Sequence, residues 1–346
     1  MPPAPRQTLT DVARIAGISR AAASYALRGD ARVSRETVER VRKIAAEIGY
    51  RPDLRLSSLM AHIRRNRLPR SRETLAFVWV SIHPGETFPA YHQHYLSTIL
   101  SGAKARANQL GCSLAEFWLD EPGMTPARLA RILRTRGITG VVFSPAMHDL
   151  AIQLNWAWEH FACAVIGNTE WTPALHRAGH YHYRSMWQTL QKLREEGVHR
   201  PAGILNRSIH ERIHGVHAAA FHVNHPAPGL APKLMQFALP EDRTLLRRWR
   251  GEPQPDALIV GWPVYGPEGE ALRKLAPAAK RVVTLDWQPR GMLPGIDVMN
   301  DQIAASAVDL VVAQLHRNER GVPAHPTSLL LEGTWREAPG DAAAAV

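Results

Sequence analysis

The apolar positions of this chain change rhythm once. Up to residue 63 they recur every three to four residues in short bursts, whereas from Thr74 short apolar runs alternate with longer helical patterns. In the first stretch Val12, Ala13, Ile15 and Ala16 make a helical stripe that starts behind Thr10 as N-cap and stops at Gly17. Ile18 is expected to be buried, and Ser19 caps a second helix over 20–27, ended by Gly29 and Asp30. Ser34 caps a third, with Val33 and Val38 at the spacing of a hydrophobic staple. Val38, Val41, Ala45 and Ile48 form its inner face, and Gly49 suits the position after its last turn. The short Gly-led gap between the first two helices predicts a helix-turn-helix.

From Thr74 the pattern predicts strands at 75–80, 113–118, 140–144, 162–167, 202–205, 234–238, 257–260 and 281–285. Helices are expected at 95–110, 127–136, 186–196, 209–223, 242–250 and 301–318. Strands that are apolar on both faces, alternating with helices, imply parallel sheets covered on both sides. Two such sets imply two Rossmann-like lobes with a ligand cleft between them. The expected fold is thus a small all-α head and an α/β body. The domains run 1–52 (head), 53–73 (hinge helix and basic linker), 74–337 (two-lobed body) and 338–346 (frayed tail).

Charge sharpens this division. The chain has 346 residues and a net charge of +11. Residues 1–72 hold 16 Arg and Lys against six Asp and Glu, so almost all the excess sits in one fifth of the length. A basic head on a neutral body points to nucleic acid. Residues 21–24, Ala-Ala-Ala-Ser, give the second helix little side-chain bulk, which lets a helix sink into a major groove or pack closely on a neighbour. Arg20, Ala21, Ser24 and Tyr25 share one face of it. A hydrophobic content of 45% is ordinary for a globular chain, and no apolar run approaches a membrane span. The N-terminus carries no apolar secretory stretch, and Cys112 and Cys163 make no disulfide framework, so a reducing cytoplasm is expected.

The runs Leu9-Thr10-Asp11-Val12-Ala13-Arg14-Ile15-Ala16-Gly17-Ile18-Ser19, Val33-Ser34-Arg35-Glu36-Thr37 and Ile48-Gly49-Tyr50-Arg51-Pro52 resemble the DNA-binding head of the lactose-repressor (LacI/GalR) family. The likeness extends over residues 8–63. It implies base reading by Arg20, Ala21 and Tyr25 and phosphate contacts by Thr8, Ser19, Ser24 and Ser34. The family's usual Thr-Val-Ser-Arg is Ala22-Ala23-Ser24-Tyr25 here, which leaves the preferred base sequence open. Residues 53–63 resemble the family's hinge helix, with Leu59 at the position of the leucine wedged into the minor groove, flanked by Leu56 and Met60. On physical grounds alone, the stripe Leu56, Leu59, Met60 and Ile63 is too short to stand free in water; it must dimerise, dock, or pack on the body.

The body resembles the family's effector domain, of the periplasmic-binding-protein type, more loosely. That likeness implies a small-molecule effector, a sugar or related metabolite, held by Tyr95, Asn168, Arg212, Trp262 and Asp286. Arg212 matches the clamping arginine and Asp286 the acid that accepts from hydroxyls. Trp262 either stacks on a ring or packs at a strand end. The expected protein is a homodimeric transcriptional regulator, a repressor, that binds a near-palindromic double-stranded operator and no membrane. No GxxxxGK or GxSxG motif is present, and no catalytic residues are assigned. Asp149 and Glu159 have no evident partner, and the pairs His92/His94 and His180/His182 could ligate a metal. With 17 histidines such pairs also arise by chance, and neither metal nor cofactor is expected. The rival readings are an enzyme with a DNA-targeting head and a constitutive architectural DNA binder.

Overall fold

The computed structural model describes residues 9–27, 33–48, 73–238, 249, 254–265 and 268–338. The head is three helices, α1 (Leu9–Ala16), α2 (Arg20–Leu27) and α3 (Arg35–Glu47). Val12, Ala16, Ala26, Val41 and Ala45 form its core, and Leu27, Val33, Val38, Ile44 and Ile48 pack around it. Gly17 at φ +68° turns the chain after α1. Both predicted serine caps are in place. Ser19 Oγ accepts from the Ala22 N–H at 3.1 Å, and Ser34 Oγ accepts from the Thr37 N–H at 3.3 Å.

Three readings of the head need correction. The first helix begins at Leu9, so Thr10 lies inside its first turn rather than capping it. Ile15 is 48% exposed, because at 100° per residue it falls outside the arc spanned by Val12, Ala13 and Ala16. Ile18 is half-buried at the edge of the core. Residues 53–72, with Leu56, Leu59 and Met60, lie outside the described residues, as do Thr8, Gly49, most of the 242–250 helix and the tail beyond 338.

The first lobe contains β1 (Thr74–Trp79), α4 (Ala90–Gln109), β2 (Ser113–Trp118), α5 (Pro126–Thr135), β3 (Gly140–Phe143), β4 (Ala151–Gln153), β5 (Ala162–Ile166), β6 (Glu170–Thr172) and β7 (His176–His180). The second contains α6 (His182–Glu195), β8 (Pro201–Asn206), α7 (Arg207–Arg212), α8 (Val216–Asn224), β9 (Met235–Ala238), β10 (Ala257–Val260), α9 (Glu268–Leu275), β11 (Arg281–Thr284) and β12 (Gly295–Asp297). The chain then returns to the first lobe as α10 (Asn300–Arg317) and β13 (Ser328–Leu331), and ends in the second as β14 (Thr334–Arg336).

The two principal sheets run β2-β1-β3-β5-β7-β13 and β9-β8-β10-β11-β12-β14. Every pairing in them is parallel except β12 with β14. Each sheet is covered on both faces, which is why its central strands are apolar throughout. Beneath the first sheet α4 lies against α10 so closely that a Cβ at Gly102 would collide with the Asp301 carbonyl.

The predicted strand positions match closely, and 113–118 and 257–260 agree residue for residue. The continuous helix expected over 209–223 is two, α7 and α8, because His214 and Gly215 take positive φ of 50° and 74°. Helices α4 and α6 start earlier than their apolar stripes suggest, at Ala90 and His182. Strands β4, β6, β7, β12, β13 and β14 and helix α9 are additional. Three chain crossings join the lobes, at 181, 298–299 and 332–333.

Candidate functional site

The carboxyl ends of the parallel strands in both lobes face one cleft, the position where open α/β sheets hold ligands. Segments that follow β1, β3 and β5 line it from the first lobe, and those that follow β8, β10 and β11 from the second. The cavity measures ≈ 710 Å³, within the range of sites for drug-sized molecules.

All five residues expected to hold an effector reach this cavity: Tyr95, Asn168, Arg212, Trp262 and Asp286. The local sequence explains their placement. Asn206, the last residue of β8, caps α7 by accepting from the Ile209 N–H at 3.2 Å. The short helix then delivers Arg212 to the opposite lobe, where its guanidinium donates to the Met147 carbonyl at 3.1 Å. Burial lowers the Arg212 pKa, while Tyr95 and Asp149 oppose that shift. The Arg212 Nε is enclosed and has no hydrogen-bond partner. A buried donor left this way is available to a ligand oxygen.

Asp286 follows β11, and Gln288 Nε2 donates to its Oδ1 at 2.7 Å. Burial pushes its pKa up to about 6, against the Gln288 hydrogen bond. Burial likewise raises the pKa of the Tyr95 hydroxyl, with Arg212 lowering it and Asp286 adding to the rise. The three thus form one electrostatic group of phenol, guanidinium and carboxylate, suited to a ligand bearing several hydroxyls. Asn168 differs: its amide lies 2.9 Å from His182 Nε2. Trp262 belongs to the core of the second lobe, and its Nε1 donates to Glu268 at 2.9 Å. Packing therefore accounts for most of that side chain, which also lines the cavity.

Further residues at the cleft were not among those the sequence assigned to an effector. Glu86 accepts from the His83 N–H at 2.9 Å and lies 3.0 Å from His148 Nε2. The His148 ring stacks on Phe88 at 6.0 Å, and Ser81 bonds to Asp149, so two loops of the first lobe brace each other at the mouth. Asn206, Gln288, His182 and His217 complete the wall. Among the described residues no group of three or more His, Cys, Asp or Glu side chains is placed so that it could hold a metal ion. Nor is any described helix long and apolar enough to cross a membrane.

In the head, Ser19 and Ser34 stand at the starts of α2 and α3, and Tyr25 is half-buried on α2. The side chains of Arg20, Ala21 and Ser24 lie outside the described set.

The chain thus combines a helix-turn-helix head with two Rossmann-like lobes around a cleft. Residues 8–53 match the family described as bacterial regulatory proteins, lacI family. Over 107 residues the chain is 36% identical to the HTH-type transcriptional regulator AscG of Escherichia coli (strain K12), which is 31% of this chain and 27% of that protein. The match thus spans about a quarter of the curated relative's length. Among solved structures, a LacI-family transcriptional regulator protein from Rhizobium etli shares the body's fold. It has a TM-score of 0.53 and 13% identity over 78% of this chain and 98% of its own. A complex of the transcriptional regulator CelR with cellobiose gives a TM-score of 0.48 at 17% identity, over 96% of this chain and 99% of its own.

Proposed function

We propose that this protein is an effector-responsive transcriptional repressor. Two copies bind a near-palindromic operator through their heads, and a small polyhydroxylated metabolite in the cleft sets the affinity. The observation that carries this reading is the convergence of Tyr95, Arg212 and Asp286 from both lobes on one cavity of ≈ 710 Å³ in a chain whose residues 8–53 match the lacI family. A guanidinium with an unpartnered enclosed donor and a carboxyl group lining the same cavity suit a ligand whose hydroxyls donate and accept at once. Arg20, Ala21 and Tyr25 read bases; Thr8, Ser19, Ser24 and Ser34 hold phosphates; Leu56, Leu59 and Met60 serve the minor groove.

The test is a thermal-shift screen of the full chain against mono- and disaccharides, nucleosides and sugar phosphates, followed by footprinting with and without each stabilising compound. A ligand held only by the native state raises the melting temperature by mass action. A two-fold footprint that a stabilising compound alters supports the reading. A footprint with no stabilising compound points to the constitutive architectural binder, and a single asymmetric half-site removes the dimeric operator.

A further inference from the structure

The cleft wall beside the chain crossings is a row of imidazoles. His180 ends β7, His182 opens α6 and His217 lies on α8. Their ring centroids are 4.9 and 4.8 Å apart, with interplanar angles of 89° and 81°. Hydrogen bonds wire the row together. The Ser185 hydroxyl meets His180 Nε2 at 2.6 Å, the Asn168 amide meets His182 Nε2 at 2.9 Å, and His182 Nδ1 meets His217 Nε2 at 3.2 Å. Asn168 belongs to the first lobe and His182 to the second, so the wire spans the junction. All three crossings also touch at its end. A Cβ at Gly333 would lie 3.1 Å from His180 Cε1 and 2.8 Å from the Asp297 carbonyl, and would collide with Ile296.

The surroundings offer the row no counter-charge. His210 of α7 faces His217 as another imidazole, and the Leu331 carbonyl faces His180. Arg184 on α6 pairs with Glu332 of the third crossing at 3.2 Å, and Asp297 beside the second pairs with Arg336 at 3.3 Å. Arg212 reaches Met147, Asp286 is held by Gln288, and Glu211 lines the cleft. No carboxylate among the described residues hydrogen-bonds an imidazole of the three.

We propose that this imidazole row is a proton-sensitive latch between the lobes: neutral, it fastens the junction, and proton uptake releases it and opens the cleft. The Asn168 amide donates to His182 Nε2 across the lobes and His182 Nδ1 then donates to His217 Nε2, so both bonds need an accepting ring nitrogen, which an imidazolium lacks. Two charged rings at this spacing also repel, with no carboxylate to offset them. Burial, then the neighbouring imidazoles, keep the closed row neutral: His217 falls to about 3 and His182 well below its usual value. Burial lowers His180 to about 4, the Leu331 carbonyl opposing. A wetted imidazole titrates near ~6.5. Closure is therefore fully favoured above that pH and is lost as pH falls below it, because only the open form takes up protons. The ratio of closed to open falls by up to about tenfold per pH unit for each imidazole released. His214 and Glu170 also meet across the lobes at 2.9 Å, but both are well exposed and contribute little.

The latch rests on the geometry of the cleft and not on any effector or operator, so its test uses neither. Cysteines replacing the exposed Arg131 on α5 and Arg273 on α9 take a donor and an acceptor dye, the native Cys112 and Cys163 being buried. Energy transfer in the full chain is followed from pH 7.5 to 5.0, with far-UV circular dichroism in parallel. Transfer should fall below pH ~6.5 while the circular dichroism holds, with a slope of more than one proton, and His182→Gln with His217→Gln should flatten it. Should that double variant fail to fold, His217→Gln alone should reduce the slope. Constant transfer in the unsubstituted row until the circular dichroism collapses, or an unchanged profile in the folded variant, overturns the latch.

Discussion

Arg212 of the second lobe donates to the main-chain carbonyl of Met147 in the first, at 3.1 Å. The residue expected to clamp a ligand thus also clasps the two lobes. Arg212 also lines the cavity and its Nε has no partner, so a ligand oxygen would bind a guanidinium already fixed in place, with less ordering entropy lost on binding.

Arg212→Ala should therefore abolish the response to effector. Operator affinity should stay within about twofold, because neither partner of the arginine lies on the head. The lost bond to Met147 is half-exposed and should cost on the order of 1 kcal/mol, lowering the melting temperature by a few degrees. Fluorescence anisotropy with an operator duplex, with and without a stabilising compound, checks both halves. Loss of DNA binding together with a large drop in melting temperature would make Arg212 purely structural.

Asp286 should behave in the reverse sense. Its pKa of about 6 in the fold lies above its ordinary value of 3.8. The folded state therefore holds this proton more tightly, so the favourable contribution is complete below the ordinary value and is lost as pH rises through about 6. At pH 7.5 the buried carboxylate is a burden on stability of on the order of 2–3 kcal/mol. Asp286→Asn should raise the melting temperature of the free protein at pH 7.5, the gain disappearing toward pH 4, while effector binding weakens. Melting curves across pH decide it; a variant less stable at pH 7.5 contradicts the assignment.

These two side chains also show how far the sequence could be read. Strand 257–260 is legible because it is a short unbroken apolar run between breakers, and 113–118 because a mostly apolar stretch follows the break at Gly111. Strand β7, His-Arg-Ala-Gly-His, is not, because β5 and β13 on either side bury it rather than its own composition. The break between α7 and α8 is hidden because Ile209, Ile213, Val216 and Ala220 keep helical spacing through it, and only the positive φ of His214 and Gly215 reveals it. In the cleft, Arg212 and Asp286 came from resemblance to a family. His182 and His217 stand 35 positions apart, and the packing of α8 beside α6 joins them, which no local pattern encodes.

Gly102 tests the close packing of α4 on α10. A Cβ there would collide with the backbone of Asp301, which cannot rotate away as a side chain would. Gly102→Ala should destabilise the body by about 1–3 kcal/mol, as overpacking does, despite the better helix propensity of alanine. Urea unfolding should show a lower midpoint. A stabilised variant would mean that the two helices separate easily.

The last prediction separates the hinge from the reading helix. Leu59 lies in an apolar stripe too short to hold a helix alone, so Leu59→Ala should leave the stability of the free protein nearly unchanged. On specific DNA it should weaken binding by on the order of 1–3 kcal/mol, because an unstacked base step would lose its filler. Affinity for scrambled duplex should barely move, since that affinity arises from phosphate neutralisation. Arg20→Ala should instead relax preference at one operator position if Arg20 reads a base. If it touches phosphate only, all sequences weaken alike and the salt slope falls by about one. Titrations of specific and scrambled duplexes at several salt concentrations distinguish these outcomes. Equal losses on both duplexes for Leu59→Ala, or unfolding of the free protein, would assign residues 53–63 to packing on the body rather than to the minor groove.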